Sequence, residues 1–332
     1  MSRSKDHLGF WKAALLCVTF VTLQLCMLVP FGILDVSFKL HLAAHPAVLG
    51  VVNLIACALV LLMGWVIGRS SMREVIALRG VSGLAVVGVI IASAGAIILL
   101  SETDNFVRVA LPPPEWVSRI LRDLAFSSEH VWASVFLLVI VAPLTEELMF
   151  RGLILRGFLR RFNVVRAFVL SSILFGATHL NPWQFVSATA LGLMFAWWYA
   201  RAQSLIPSLL GHALVNATVV GHQLLPFKVR GFNVGEPSGS FELQPFWFDA
   251  LGLLLLAIGL WLFRGATPPI KSPAGPSGAE PSPPDAPVGG VPPVVPPDGT
   301  PMFPRSFGGR RPRCFPWMIS SISPNSIRGS LC

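Results

Sequence analysis

Charge is what this sequence has least of. Only 12% of its 332 residues are Asp, Glu, Lys or Arg, while 54% are hydrophobic. A soluble globular chain carries about a quarter charged residues, so this shortage argues against a water-soluble domain. Several catalytic signatures are missing too. No GxSxG-like nucleophile lies in an apolar run, which disfavours serine chemistry within the membrane, and the HExxH zinc signature is absent. Five cysteines are scattered: Cys17, Cys26 and Cys57 in apolar runs, Cys314 and Cys332 in the tail. With no CxxC spacing they imply neither a metal knuckle nor a disulfide framework. No segment duplicates another, although repeated halves with broken helices are usual in secondary transporters.

What is present is a series of long apolar runs, the sequence form of a transmembrane helix. Ala13–Leu34, Ala47–Gly68 and Gly80–Leu100 are the cleanest. Val131–Arg160, Ala167–Leu180, Phe185–Ala200, Ser204–Gly221 and Phe246–Phe263 are shorter or carry polar residues. The expected fold is all-α, a polytopic integral membrane helix bundle of about eight transmembrane helices. A short N-terminus (1–12) should precede an integral domain (13–265). The Pro- and Gly-rich tail (266–332) should be disordered, because its composition cannot bury enough apolar surface to offset its ordering entropy. No small-residue cleavage site follows the first run directly, so it reads as an uncleaved span rather than a signal peptide.

The net charge of +9 does not indicate nucleic acid, because its distribution is topological. Arginines gather in alternate loops (Arg69, Arg73, Arg79; Arg156, Arg160, Arg161, Arg166; Arg201; Arg264). The loop from Ser101 to His130 instead carries Glu102, Asp104, Glu115, Asp123 and Glu129. The positive-inside rule then places both termini in the cytoplasm of a multi-pass cell-membrane protein. In that loop Trp116, Val117, Ile120, Leu121 and Leu124 share one helical face, as an interfacial amphipathic helix would. Trp197, Trp198, Tyr199 and Trp247 read as interface belts, and Gly88, Ala92 and Ala96 as a small-residue packing stripe.

Against this background the stretch VAPLTEELMFRG stands out. A charge at the centre of a membrane helix costs about 2.5–3.5 kcal/mol, yet Glu146, Glu147 and Arg151 fall within six residues. Glu147 and Arg151 are four apart in the favourable order for a pair on one helix face. Glu146 points about 100° away and needs a partner from another helix. FGATH offers His179, with Phe175 on the same face, and HALVN offers His212 with Asn216. Measured from the arginine-rich surface, Glu146 lies about 21 Å below Arg160, His179 about 20 Å below Arg166 and His212 about 17 Å below Arg201. The three groups fall near one level.

Two chemistries fit these residues. Glu146, helped by His179, could activate a water as general base, with His212 and Asn216 as oxyanion donors. Alternatively Glu146, His179 and His212 could hold a single zinc in a His₂Glu set with an open water position. Asn216 one turn after His212 suits an oxyanion donor better than a zinc ligand, which favours the metal-independent form. A proton pathway or transporter built on the same Glu/His cluster is a rival reading, as is a non-catalytic immunity or assembly factor.

EELMFR, FGATH and HALVN resemble, in order, the EExxxR, FxxxH and HxxxN motifs of the CPBP family. These are the CAAX proteases and bacteriocin-processing enzymes, also called the abortive-infection family and including the Ras-converting CAAX endopeptidase. The likeness covers about residues 130–220. It implies an eight-helix intramembrane endopeptidase acting on a membrane-anchored peptide or protein in the lipid bilayer, prenylated or bacteriocin-like. It also implies that Glu146 and His179 activate water, that His212 and Asn216 form the oxyanion hole, and that Glu147, Arg151 and Phe175 support the site. Members are often labelled metalloproteases.

Overall fold

The computed structural model describes residues 8–68, 72–117, 130–221, 225–233 and 242–270. The expected tail beyond 270 and most of the expected interfacial helix lie outside these residues. Among the described residues eight helices have 14 residues or more. They are α1 (Phe10–Phe38), α2 (Pro46–Gly68), α3 (Gly83–Ala110), α4 (Val131–Leu159), α5 (Val164–Ala177), α6 (Pro182–Ala202), α7 (Ile206–Gly221) and α8 (Phe246–Ala266). The chain is a multi-pass helical membrane protein. By length and composition α1, α2, α3, α4 and α8 can each cross a bilayer. α5 is apolar, but its 14 residues reach only about 21 Å, short of a hydrocarbon core of about 30 Å. α6 and α7 carry polar residues that lower their hydropathy. Length and composition thus support five of the eight expected crossings.

Helix boundaries follow local chemistry. Asn163 caps α5, its side chain accepting from the Arg166 amide at 2.9 Å. Asn181 caps α6 in the same way through the Trp183 amide at 3.0 Å, with Pro182 at the first helical position. That second cap corrects one expectation. The fifth span was expected to reach Leu180, but α5 stops at Ala177 and His179 lies in the turn beyond it. Leu180 adopts φ 51° to turn the chain into Asn181–Pro182, and a residue before proline is itself kept out of helical geometry.

α4 is not a uniform α-helix. Phe136–Val141 and Leu148–Leu155 are π-helical, flanking the α-helical segment Ala142–Glu147. Pro143 accounts for the first irregularity. The Ala142 amide bonds Leu137 O, five residues back. In the same register Leu138 O would bond the amide of Pro143, which has no N–H. The Asn216 side chain of α7 supplies the missing donor, Nδ2 to Leu138 O at 2.8 Å.

Two apolar clusters share α6. One joins α1, α2, α4 and α5 around Phe150, Ile154, Phe158 and Phe175, with Ala196 and Tyr199 from α6. The other joins α3 and α8 to the Phe195 and Trp198 side of α6. Trp198 and Tyr199 are therefore core residues, 0% and 3% exposed, not the interface belt their position beside Arg201 implied. Trp247, by contrast, is 59% exposed.

Candidate active site

Charged side chains inside the bundle are costly unless paired, and α4 and α7 bring such partners together. Arg151 is 2% exposed and Glu147 0%. The Arg151 guanidinium donates from Nη1 to Glu147 Oε1 at 2.7 Å, and from Nη2 to the α6 carbonyl of Gly192 at 3.3 Å. His212 Nδ1 lies 2.9 Å from the same Glu147 oxygen. A carboxylate can only accept here, so Nδ1 carries the proton and donates. Glu147 is thus the hub, fixing Arg151 on its own helix and orienting His212 on α7.

Aromatic rings close the network. Arg151 Cζ lies 4.6 Å from the Phe175 ring centroid and 5.1 Å from that of Phe195, favourable cation–π distances. Phe195 stacks on His212 with centroids 5.4 Å apart. Phe175, 2% exposed, meets His179 and His212 edge-on at 5.2 and 5.8 Å. It is a positioning residue that touches both imidazoles.

Glu146 differs from its neighbour. Its side chain is 19% exposed where that of Glu147 is 0%. Its Oε2 atom is nonetheless buried and has no hydrogen-bond partner in the protein. That oxygen lies 3.8 Å from His212 Nε2, too far for a direct hydrogen bond and a separation at which a bridging water is to be considered. Glu147 Oε2 is likewise buried without a hydrogen-bond partner; the two glutamates differ in that Glu147 spends Oε1 on Arg151 and His212, whereas Glu146 faces the His212 imidazole without a direct hydrogen bond to it.

His179 is held by its own backbone, Nδ1 3.0 Å from Phe175 O. A carbonyl only accepts, so Nδ1–H is the donor and Nε2 of the neutral ring keeps its lone pair. Asn216 spends one of its two amide hydrogens on Leu138 O, leaving the second. The structure therefore brings Glu146, Glu147, Arg151, Phe175 and His212 into one contact network. Asn216 sits one turn along α7 from it, and His179 meets it through the Phe175 ring. Among the described residues no three His, Cys, Asp or Glu side chains gather as a metal-binding set.

Glu147 was expected to pair with Arg151, and it also takes His212. Three contributors escaped the sequence reading. Phe195 and the Gly192 carbonyl give no sequence signal, being an ordinary aromatic and a backbone oxygen on a helix with no charged motif. Ser208, 0% exposed and one turn before His212, could have been noticed at the i−4 position.

Residues 128–218 match the family described as "Type II CAAX prenyl endopeptidase Rce1-like". This bears out the likeness read from the three motifs, and the matched residues include every member of the network. Over 89 residues, 27% of this chain, the sequence is 34% identical to a Bacillus subtilis (strain 168) protein named "Putative membrane peptidase YdiL". That match spans 36% of the relative's own length. Over 127 residues, 37% of this chain, it is 27% identical to "UPF0177 protein YxdF" of Lactococcus lactis subsp. lactis (strain IL1403), covering 70% of that protein. No solved structure matches the chain.

Proposed function

We propose that the protein is an intramembrane endopeptidase of the cell membrane, both termini cytoplasmic, that hydrolyses a peptide bond in a membrane-anchored peptide or protein. The carrying observation is the buried Oε2 of Glu146, without a protein partner and 3.8 Å from His212 Nε2. A water held between them would lose a proton to the Glu146 carboxylate as its oxygen attacks the substrate carbonyl. Glu146 would later return that proton to the leaving amine. His179, with Nε2 unprotonated, is the second acceptor available to the water. The oxyanion would be met by the remaining Asn216 N–H and by His212 Nε2–H. This last role requires the imidazolium form, in which both ring nitrogens donate. Glu147 orients the ring by accepting from Nδ1, much as an orienting carboxylate does in a triad.

The Rce1-like match supports the peptidase reading, as does the name of the Bacillus relative. The proposal takes the water to be activated by carboxylate rather than by zinc, because the three candidate ligands do not gather. The test uses purified protein in lipid vesicles with membrane-anchored peptides, wild type beside Glu146→Ala and His179→Ala. Loss of cleavage in both variants, with unchanged melting, is expected. Equal cleavage by wild type and Glu146→Ala would overturn the scheme. One zinc per chain with chelator-sensitive cleavage would overturn its metal-free form. Solute transport without peptidase activity would favour the proton-pathway alternative.

A further inference from the structure

On the side of α6 turned away from the network, an apolar groove runs between α6 and the packed pair α3 and α8. Leu99 of α3, Ala190, Met194 and Trp197 of α6, and Leu256 and Leu260 of α8 line a cavity of about 380 Å³. A second cavity of about 390 Å³ shares Trp197 and Leu260 and ends on Trp261 and Arg264. The two adjoin at these shared residues and together make a trough. From Ala190 to Arg201 α6 rises about 17 Å, close to the depth of one leaflet, which is half of a core of about 30 Å.

The end of the trough is cationic. Arg201 Cζ lies 5.5 Å from the Trp197 ring centroid. Its Nε donates to Thr267 Oγ1 at 2.9 Å and its Nη2 to the Arg264 carbonyl at 2.6 Å. These bonds bring two arginine-bearing segments onto one rim. Neither guanidinium has a carboxylate partner among the described residues, although Arg156, Arg160 and Arg230 all do. Trp197 and Trp261 flank the rim, as amphipathic rings do at headgroup level.

We infer that this trough binds one anionic phospholipid, with an acyl chain lying between α3, α6 and α8 and its phosphate against Arg264 and Arg201. Any membrane-facing groove is filled by hydrocarbon. Two guanidiniums without an acid, placed where an apolar channel of leaflet depth reaches the boundary, select an anionic headgroup. The site is separate from the proteolytic centre, because Phe195 and Trp198, which stack together at 5.6 Å, stand between it and His212. It does not depend on the peptidase reading.

The test is native mass spectrometry of the purified, delipidated chain in dodecyl maltoside. The probes are phosphatidylglycerol, phosphatidylcholine with the same acyl chains, and inorganic phosphate alone. One phosphatidylglycerol per chain is expected, preferred over phosphatidylcholine by about five-fold or more, with no adduct from phosphate alone. Arg264→Gln, at an exposed position, should weaken phosphatidylglycerol about five-fold. Ala190→Phe fills the trough from an exposed position and should weaken both lipids. Both variants should melt like the wild type without lipid. Equal binding of the two lipids by the wild type would overturn the inference and mark the trough as ordinary annular contact. Phosphate binding as tight as phosphatidylglycerol would overturn it in favour of a bare anion site. A farnesylated peptide displacing phosphatidylglycerol without regard to Arg264 would overturn it in favour of an isoprenoid chain. The wild-type comparison decides the matter even if a variant fails to fold.

Discussion

α3 and α8 meet along their length through glycine and alanine, whereas α4 and α7 are fastened at one level by charge. A Cβ at Gly88 would come within 2.8 Å of the Phe263 amide, and one at Gly252 within 2.8 Å of Ile98. The α3–α8 contact is dispersion between closely approaching backbones, the usual way to join helices in lipid. Its strength is spread over many small contributions. The α4–α7 contact is concentrated in Glu147, which holds Arg151 and His212, and in the Asn216–Leu138 bond. Small residues fix the distance between two helices but present no reactive group. A buried charge network fixes individual side chains and fails when one member goes.

The comparison can be broken at either pair, and the largest effect belongs to the charged one. Arg151→Met removes one partner from a fully buried carboxylate and should destabilise the protein by about 3–5 kcal/mol. Thermal unfolding in detergent reads this, and adding Glu147→Gln to the same chain should recover part of the loss. An Arg151→Met protein melting like the wild type would mean that the network is ornamental. Next comes Gly259→Ala on α8, where a Cβ would press on the backbone of Ala92 in α3. About 1–3 kcal/mol of overpacking strain is expected, while cleavage per folded molecule stays unchanged because the network lies elsewhere. A fall in turnover without a fall in stability would show that the two pairs are coupled. The smallest effect is at the start of α3, where the Ser82 side chain accepts from the Ala85 amide at 3.3 Å. Ser82→Ala should cost about 1 kcal/mol, measured by the same unfolding.

Most of the bundle was legible because apolar runs of bilayer length admit few alternatives. The site was legible for the opposite reason, since Glu146, Glu147 and Arg151 could not be left unpartnered in such a run. Which glutamate takes which partner was not legible. The α-helical spacing pairs Glu147 with Arg151, and it does, but His212 also reaches Glu147 from α7, a contact between helices that spacing along one helix cannot show. Pro143 was visible in the sequence, but its effect depends on a carbonyl being rescued from α7, a tertiary fact. The early end of α5 was readable in principle from Asn181–Pro182. The apolar pattern, which continues through Leu180, hid it.

The central claim is that Glu146 and His212 act on one water. A kinetic cycle tests it most directly: cleavage of a membrane-anchored peptide by wild type, Glu146→Gln, His212→Gln and the double variant. Each single change should slow cleavage by about 10²–10⁴-fold. The double variant should be no more than about ten-fold slower than the worse single one, as groups acting as a unit behave. Losses that multiply, or a single variant cleaving like the wild type, would contradict it.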